Sequence, residues 1–137
     1  MPNASGAYEN MLLSTTFHLS SDYNTVSGAL SQFTFVKLSD ADFHVCQATG
    51  STQSAAPIGI LQQSGKKGEG VAVGMIGISK LRLAGTVTRG QFVAATAAGE
   101  GIRHFGLGIP AARALSSGVD NDVIPVLLLT SCFSTKG

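Results

Sequence analysis

Apolar residues in this chain fall into short runs divided by turn formers, and the commonest spacing inside the runs is two. In QFTFVKL (32–38) Phe33 and Phe35 flank Thr34, and the run breaks at Lys37. FHVCQA (43–48) follows Ser39-Asp40-Ala41-Asp42, a cluster of residues that favour turns. A small polar loop covers 49–56, Pro57 opens the strand IGIL, and SGKKGEG (64–70) reads as an exposed turn. Residues 71–93 carry the clearest β pattern. Val71, Val73 and Met75 share one face, while Leu81 and Leu83 alternate with Lys80 and Arg82, which are expected to face water. IRHFGLGI (102–109) continues the series. PAARALSSG (110–118) reads as one or two helical turns, with Pro110 in the first turn and Gly118 as the stop. VIPVLLLTSCF reads as a buried closing strand, in which Pro125 suits an edge or the start of the strand. Val73, Leu83 and Leu127 are expected in the core.

Residues 1–28 keep neither period for long. Leu12, Leu13 and Phe17 form one face of a short helix, or Leu13, Thr15, Phe17 and Leu19 one face of a strand. The stretch is read as an N-terminal arm or lead-in, its residues 1–20 mobile in the free protein, and 29–137 as a β-rich domain. The alternative is that the segment packs on its own domain as a first strand. Tyr8, Leu12, Leu13 and Phe17 are the arm's candidate contact residues, because isolated apolar side chains in such a segment need a partner surface. Short strands at roughly ten-residue spacing with Gly-rich turns give an all-β fold: a small barrel or sandwich with one short helical segment and an N-terminal arm.

Composition narrows the function classes. The chain has 137 residues, 44% hydrophobic, enough for one domain with a real core. Charged residues are 12%, about half the usual ~25%. Fifteen Ser and eleven Thr supply the missing surface polarity. The net charge of +1 gives no electrostatic footprint for a nucleic-acid backbone. No basic start followed by an apolar stretch marks a signal peptide, and the apolar run 123–129 is far shorter than the ~20 residues of a membrane-spanning helix. Neither nucleic acid nor membrane is therefore an expected partner. Cys46 and Cys132 stand 86 positions apart, which leaves both two buried thiols and one long-range disulfide open.

Little in the chain points to catalysis. His18, His44 and His104 are scattered, with no HxxxH or CxxC spacing for a metal, and no G-x-S-x-G elbow is present. The Gly- and Lys-rich stretch 65–70 lacks the G-x-x-x-x-G-K-[ST] pattern and reads as a hairpin turn. Residues 106–111 match G-x-G-x-x-A without the βαβ context that a dinucleotide needs. Asp120-Asn121-Asp122 reads as a polar turn rather than a cation loop. No enzyme activity, metal or cofactor is expected.

The order of motifs resembles the tailed-phage capsid decoration family, the capsid cement or head-stabilising proteins. AYEN and FTFVKL are followed by PIGILQQSGKKGEGVAVGMIGISKLRLAGTVTRGQFVAATAAGEG and then FGLGIPAARALSSGVDNDVIPVLLL. Within these, Ile58-Gly59-Ile60-Leu61, the 68–73 strand, Ala84-Gly85, Gly90-Gln91-Phe92-Val93, Gly108-Ile109 and the 124–128 strand carry the similarity, which spans about residues 7–130. Asn121-Asp122 stands where the family has a Gly-acidic turn, and the 43–57 loop is longer than the pattern. The resemblance implies a structural virion protein without cofactor, made in the host cytoplasm. It would bind the major capsid protein on the capsid exterior, stabilise the head, and associate with itself as a homotrimer. Two rivals are a carbohydrate- or surface-binding β module and a small hydrolase using one of the histidines. The first would want an exposed aromatic platform; Trp is absent, and the two tyrosines, Tyr8 and Tyr23, both sit in the lead-in.

Overall fold

The computed structural model describes residues 10–20, 29–30, 32–39, 41–50, 57–105 and 110–128. Its elements are all strands: β1 (Asn10–Leu19), β2 (Ala29–Leu30), β3 (Phe35–Leu38), β4 (His44–Gln47), β5 (Gly59–Leu61), β6 (Gly65–Lys66), β7 (Gly70–Arg82), β8 (Phe92–Ala95), β9 (Gly101–Arg103), β10 (Ala112–Ala114) and β11 (Val123–Leu128). Nine of them make one mixed sheet in the order β1-β4-β3-β5-β7-β11-β10-β8-β9, and β2 pairs with β6.

The thirteen-residue strand β7 organises this sheet because both of its edges are used twice. Over its first part it pairs antiparallel with β1, from Asn10↔Ile78 to His18↔Gly70, and on its other edge with β5 at Val73 and Gly74. Since β1 also pairs parallel with β4, the strands β1-β4-β3-β5-β7 close into a five-stranded barrel. Over its second part β7 pairs with β11, from Leu127↔Ile78 to Val123↔Arg82. β11 leads through β10 and β8 to β9, and a parallel bridge Leu83↔Gly101, with Ala84 N–H donating to Gly101 O at 2.8 Å, returns to the end of β7. A second ring thus stands beside the first, with β7 common to both. Closure leaves few free edges, which is how small all-β domains avoid edge-to-edge pairing.

Each ring has its own core. Phe17, Leu19, Val36, Val45, Leu61, Val71 and Val73 fill the first; Leu81, Leu83, Val93, Ile124 and Val126 with several alanines fill the second. The division explains why apolar residues stand side by side in Phe35-Val36 and Ile60-Leu61. On β3 Phe35 points into the second core and Val36 into the first, and on β5 Ile60 and Leu61 divide the same way. Strands buried on both faces lose the polar alternation of a half-exposed strand. Where β7 passes between the rings, Ser79 is fully buried and satisfied: its Oγ donates to Lys80 O and accepts from Gln62 Nε2, both at 3.0 Å.

The all-β class stands, and four sequence expectations are corrected in detail. The helical segment at 110–118 is absent. Ala112 and Ala114 are buried, Arg113 between them is exposed, and β10 is a strand paired on both sides, with β8 and β11. Alanine's helix preference of well under 1 kcal/mol per residue yields to those two ladders. Part of the supposed arm, residues 10–19, is instead β1, a full partner of β7; residues 1–9 and 21–28 lie outside the described residues. Leu127 is 39% exposed, whereas Val73 and Leu83 are fully buried. It points outward from β11 between the buried Val126 and Leu128. Pro125 sits inside β11 rather than at its start. In an antiparallel ladder a residue's N–H and C=O face the same neighbour. The Pro125 carbonyl accepts from Leu115 N–H at 3.1 Å, so its missing donor faces the place where β10 ends at Ala114.

Candidate functional site

The strands position two surfaces, one on each ring. On the first ring a mostly apolar cleft of about 440 Å³ is walled by Phe17, Leu38, Ala41, Phe43, Ile58 and Met75, with Ser39 and Asp42 also on its wall. Phe43 stands at the tight turn between β3 and β4, where His44 N–H donates to Ala41 O at 3.2 Å. The turn forces Phe43 into the left-handed region at φ 57°, which a bulky residue seldom adopts. It is nevertheless 66% exposed, its ring 5.9 Å from that of Phe17. Residues held in such sparsely populated backbone regions are often found at functional sites.

The four contact residues expected from the sequence are only partly brought to a surface. Tyr8 lies outside the described residues. Leu12 and Leu13 are both exposed, because irregularities in the β1–β7 register between Met11 and Leu13 and between Leu13 and Ser14 break the in–out alternation there. Phe17 is buried in the first core and reaches the surface only as part of the cleft wall.

The second surface lies on the outward face of the second ring. Register places Ile78, Leu127, Arg113 and Phe92 in one row across β7, β11, β10 and β8. His104 N–H donates to Phe92 O at 2.9 Å and carries the row to the end of β9. The Arg113 guanidinium lies over the Phe92 ring at 5.2 Å from its centroid, and Arg113 Nε donates to Gly90 O at 3.1 Å. Arg103 lies over Phe105 at 4.5 Å. Gln91, Phe92, Arg103, His104 and Phe105 line a shallow hollow of about 460 Å³. The sequence reading passed over this face. Its signals were the exposed Arg113 between two small buried residues and the Arg103-His104-Phe105 run, which only cross-strand register brings together.

His18 and His44 pair across β1 and β4 with ring centroids 5.5 Å apart, and His44 Nδ1 lies 2.8 Å from Asp42 O. Among the described residues no group of three His, Cys, Asp or Glu side chains lies together as a metal would require. Cys46 is buried, and Cys132 lies outside the described residues. The 106–109 part of the G-x-G-x-x-A match also lies outside them. Asp120-Asn121-Asp122 is the expected polar turn: Asn121 adopts φ 71° and Asp122 Oδ2 accepts from Val119 N–H at 2.9 Å.

No protein-family profile matches this sequence, and no curated protein does. The fold has a solved counterpart in the head fiber gp8.5 N base of bacteriophage phi29. The two superpose with a TM-score of 0.67, covering 89% of this chain and 98% of that one, at 13% sequence identity. The likeness extends over both rings, and at that identity it is a likeness of fold.

Proposed function

We propose that this protein is a structural component of a phage head, held on the outer surface of the shell and stabilising it as a decoration or cement protein does. The observation that carries the reading is the fold shared, over nearly the full length of both chains, with a protein described as the base of a phage head fiber. The motif order resembling capsid decoration proteins supports it from the sequence side. So does a surface built for contact rather than chemistry, with Leu12, Leu38, Phe43 and Phe105 each more than half exposed. Interfaces with a preformed repetitive lattice gain strength from many copies, so each contact can be modest.

The first ring is the shell-facing end in this reading, through Leu12 and Leu13 on β1 and the cleft under Phe43. Burying a side chain of that size contributes about 1.5–3 kcal/mol before ordering costs. The partner is the major capsid protein, and self-association as a trimer about a local threefold axis places three such ends on one capsomer junction. Co-sedimentation with purified phage heads stripped of their surface proteins tests this. The wild-type chain is expected in the head pellet, and L12S/L13S and F43S variants, still folded by circular dichroism, in the supernatant. Variants that pellet like wild type would overturn the assignment of this end. Sedimentation velocity of the free protein reports whether trimers form before the shell is met.

A further inference from the structure

The geometry points to a second binding surface, on the opposite ring from the cleft: the Arg103–Arg113 face, which takes an acidic segment of a partner protein. The inference goes beyond head attachment and does not need it.

Three features of the face lead there. First, among the described residues neither guanidinium has a carboxylate within ion-pair distance; the partners of both are a phenylalanine ring and, for Arg113, the Gly90 carbonyl. In a chain with 12% charged residues, two such charges on β9 and β10, the strands that flank β8, are a local concentration. Second, both are held in place. Each guanidinium rests on a phenylalanine ring, and Arg113 is further fixed by the Nε bond to Gly90 O. Stacking and a bound Nε reduce the freedom lost on binding and leave the terminal N–H groups available for a planar, bidentate acceptor. Third, exposed apolar side chains stand beside the charges: Phe92 is 45% and Phe105 68% exposed, and Leu127 is next to Arg113 in the row. Arginine and aromatic residues together are the composition of energetic centres in protein interfaces.

The same chemistry argues against a nucleic acid. Single-stranded nucleic acids bind by stacking bases on open aromatic faces along a basic track. Here a guanidinium already lies over a face of each ring, and the chain's net charge is +1. A carboxylate offered between the two arginines, with apolar neighbours against the ring edges and Leu127, uses every part of the face.

The test is an amide-resolved NMR titration of the full chain with a capped peptide of alternating Glu and Phe. The matching Gln–Phe peptide, inorganic phosphate and oligothymidylate are titrated separately. The Glu peptide is expected to shift Phe92, Arg103, His104, Phe105 and Arg113 and to leave the β1–β5 amides unmoved. R103Q/R113Q should weaken binding by about tenfold or more, with the rest of the spectrum unchanged, because even one lost charge-assisted pair is worth roughly that factor. R113K should fall between, keeping the charge and losing the fork. Equal shifts with the Gln peptide, no loss in the double variant, or no saturable shift at all would overturn the inference. Phosphate or oligothymidylate acting as strongly as the Glu peptide would overturn the choice of a protein segment.

Discussion

Leu19 and Leu127 are the same residue on strands of the same sheet, yet one is 1% exposed in the first core and the other is 39% exposed on the outer face of the second ring. Leu19→Ala is expected to lower unfolding free energy by about 2–5 kcal/mol through lost burial and the cavity left behind. Leu127→Ala should cost under about 1 kcal/mol, as surface changes do. Urea denaturation of both variants checks the pair, and similar losses would contradict the outward placement of Leu127. Glycines divide in the same way. Gly77 has φ +118°, and a Cβ there would run into the Asn10 carbonyl and the Leu12 amide of the neighbouring strand. Gly90 has φ +93° with nothing near. Gly90→Ala should therefore cost only about 1–2 kcal/mol of backbone strain. Gly77→Ala should cost clearly more, because it also forces β1 away from β7. Thermal melts of the two variants report the difference.

At the scale of elements, β1 shows what sequence conceals. Its alternation fails at the register breaks beside Leu13, so Leu12 and Leu13 both face out while Phe17 and Leu19 face in. A local reading sees a loose lead-in. The missing information is the pairing with β7, some sixty residues later, and no local pattern carries it. Strand β10 departs from the helical expectation for a related reason: alanines fit the crowded second core, and their preference for helix says nothing about space. What was legible were the half-buried strands with one partner face, such as Leu81 and Leu83 alternating with Lys80 and Arg82, and the polar turns at 67–68 (elsewhere in the expected 64–70 turn, Gly65–Lys66 form β6 and Gly70 starts β7) and 120–122. Of the expected contact residues, Leu12 and Leu13 were legible as apolar side chains without a core. The Arg–Phe face was not, since its members come from three strands. Deleting residues 1–20 separates an arm from a strand. The structure predicts loss of the folded state, because Phe17 and Leu19 leave the first core and β7 loses a whole edge. A truncated chain with native-like chemical shifts would contradict it.

At the scale of the molecule, the two rings share β7, so neither core can open without disturbing the other's longest strand. Unfolding is expected as one cooperative transition, with coincident midpoints by circular dichroism and by the amide NMR signals of the two rings. Native-state hydrogen exchange should be slowest in β7 and its partners. Two resolved transitions would mean that the rings fold separately. A rigid double ring also suits the proposed role of a protein standing on a shell, with one end for the lattice and another face for a further partner. The most direct test of that role is a cryo-electron microscopy reconstruction of stripped phage heads incubated with the purified chain. The account predicts density outside the shell at symmetry-related positions, fitted by the double ring with the first ring against the capsid. Bare heads at saturating protein, or density fitted only with the first ring pointing away from the shell, would contradict it.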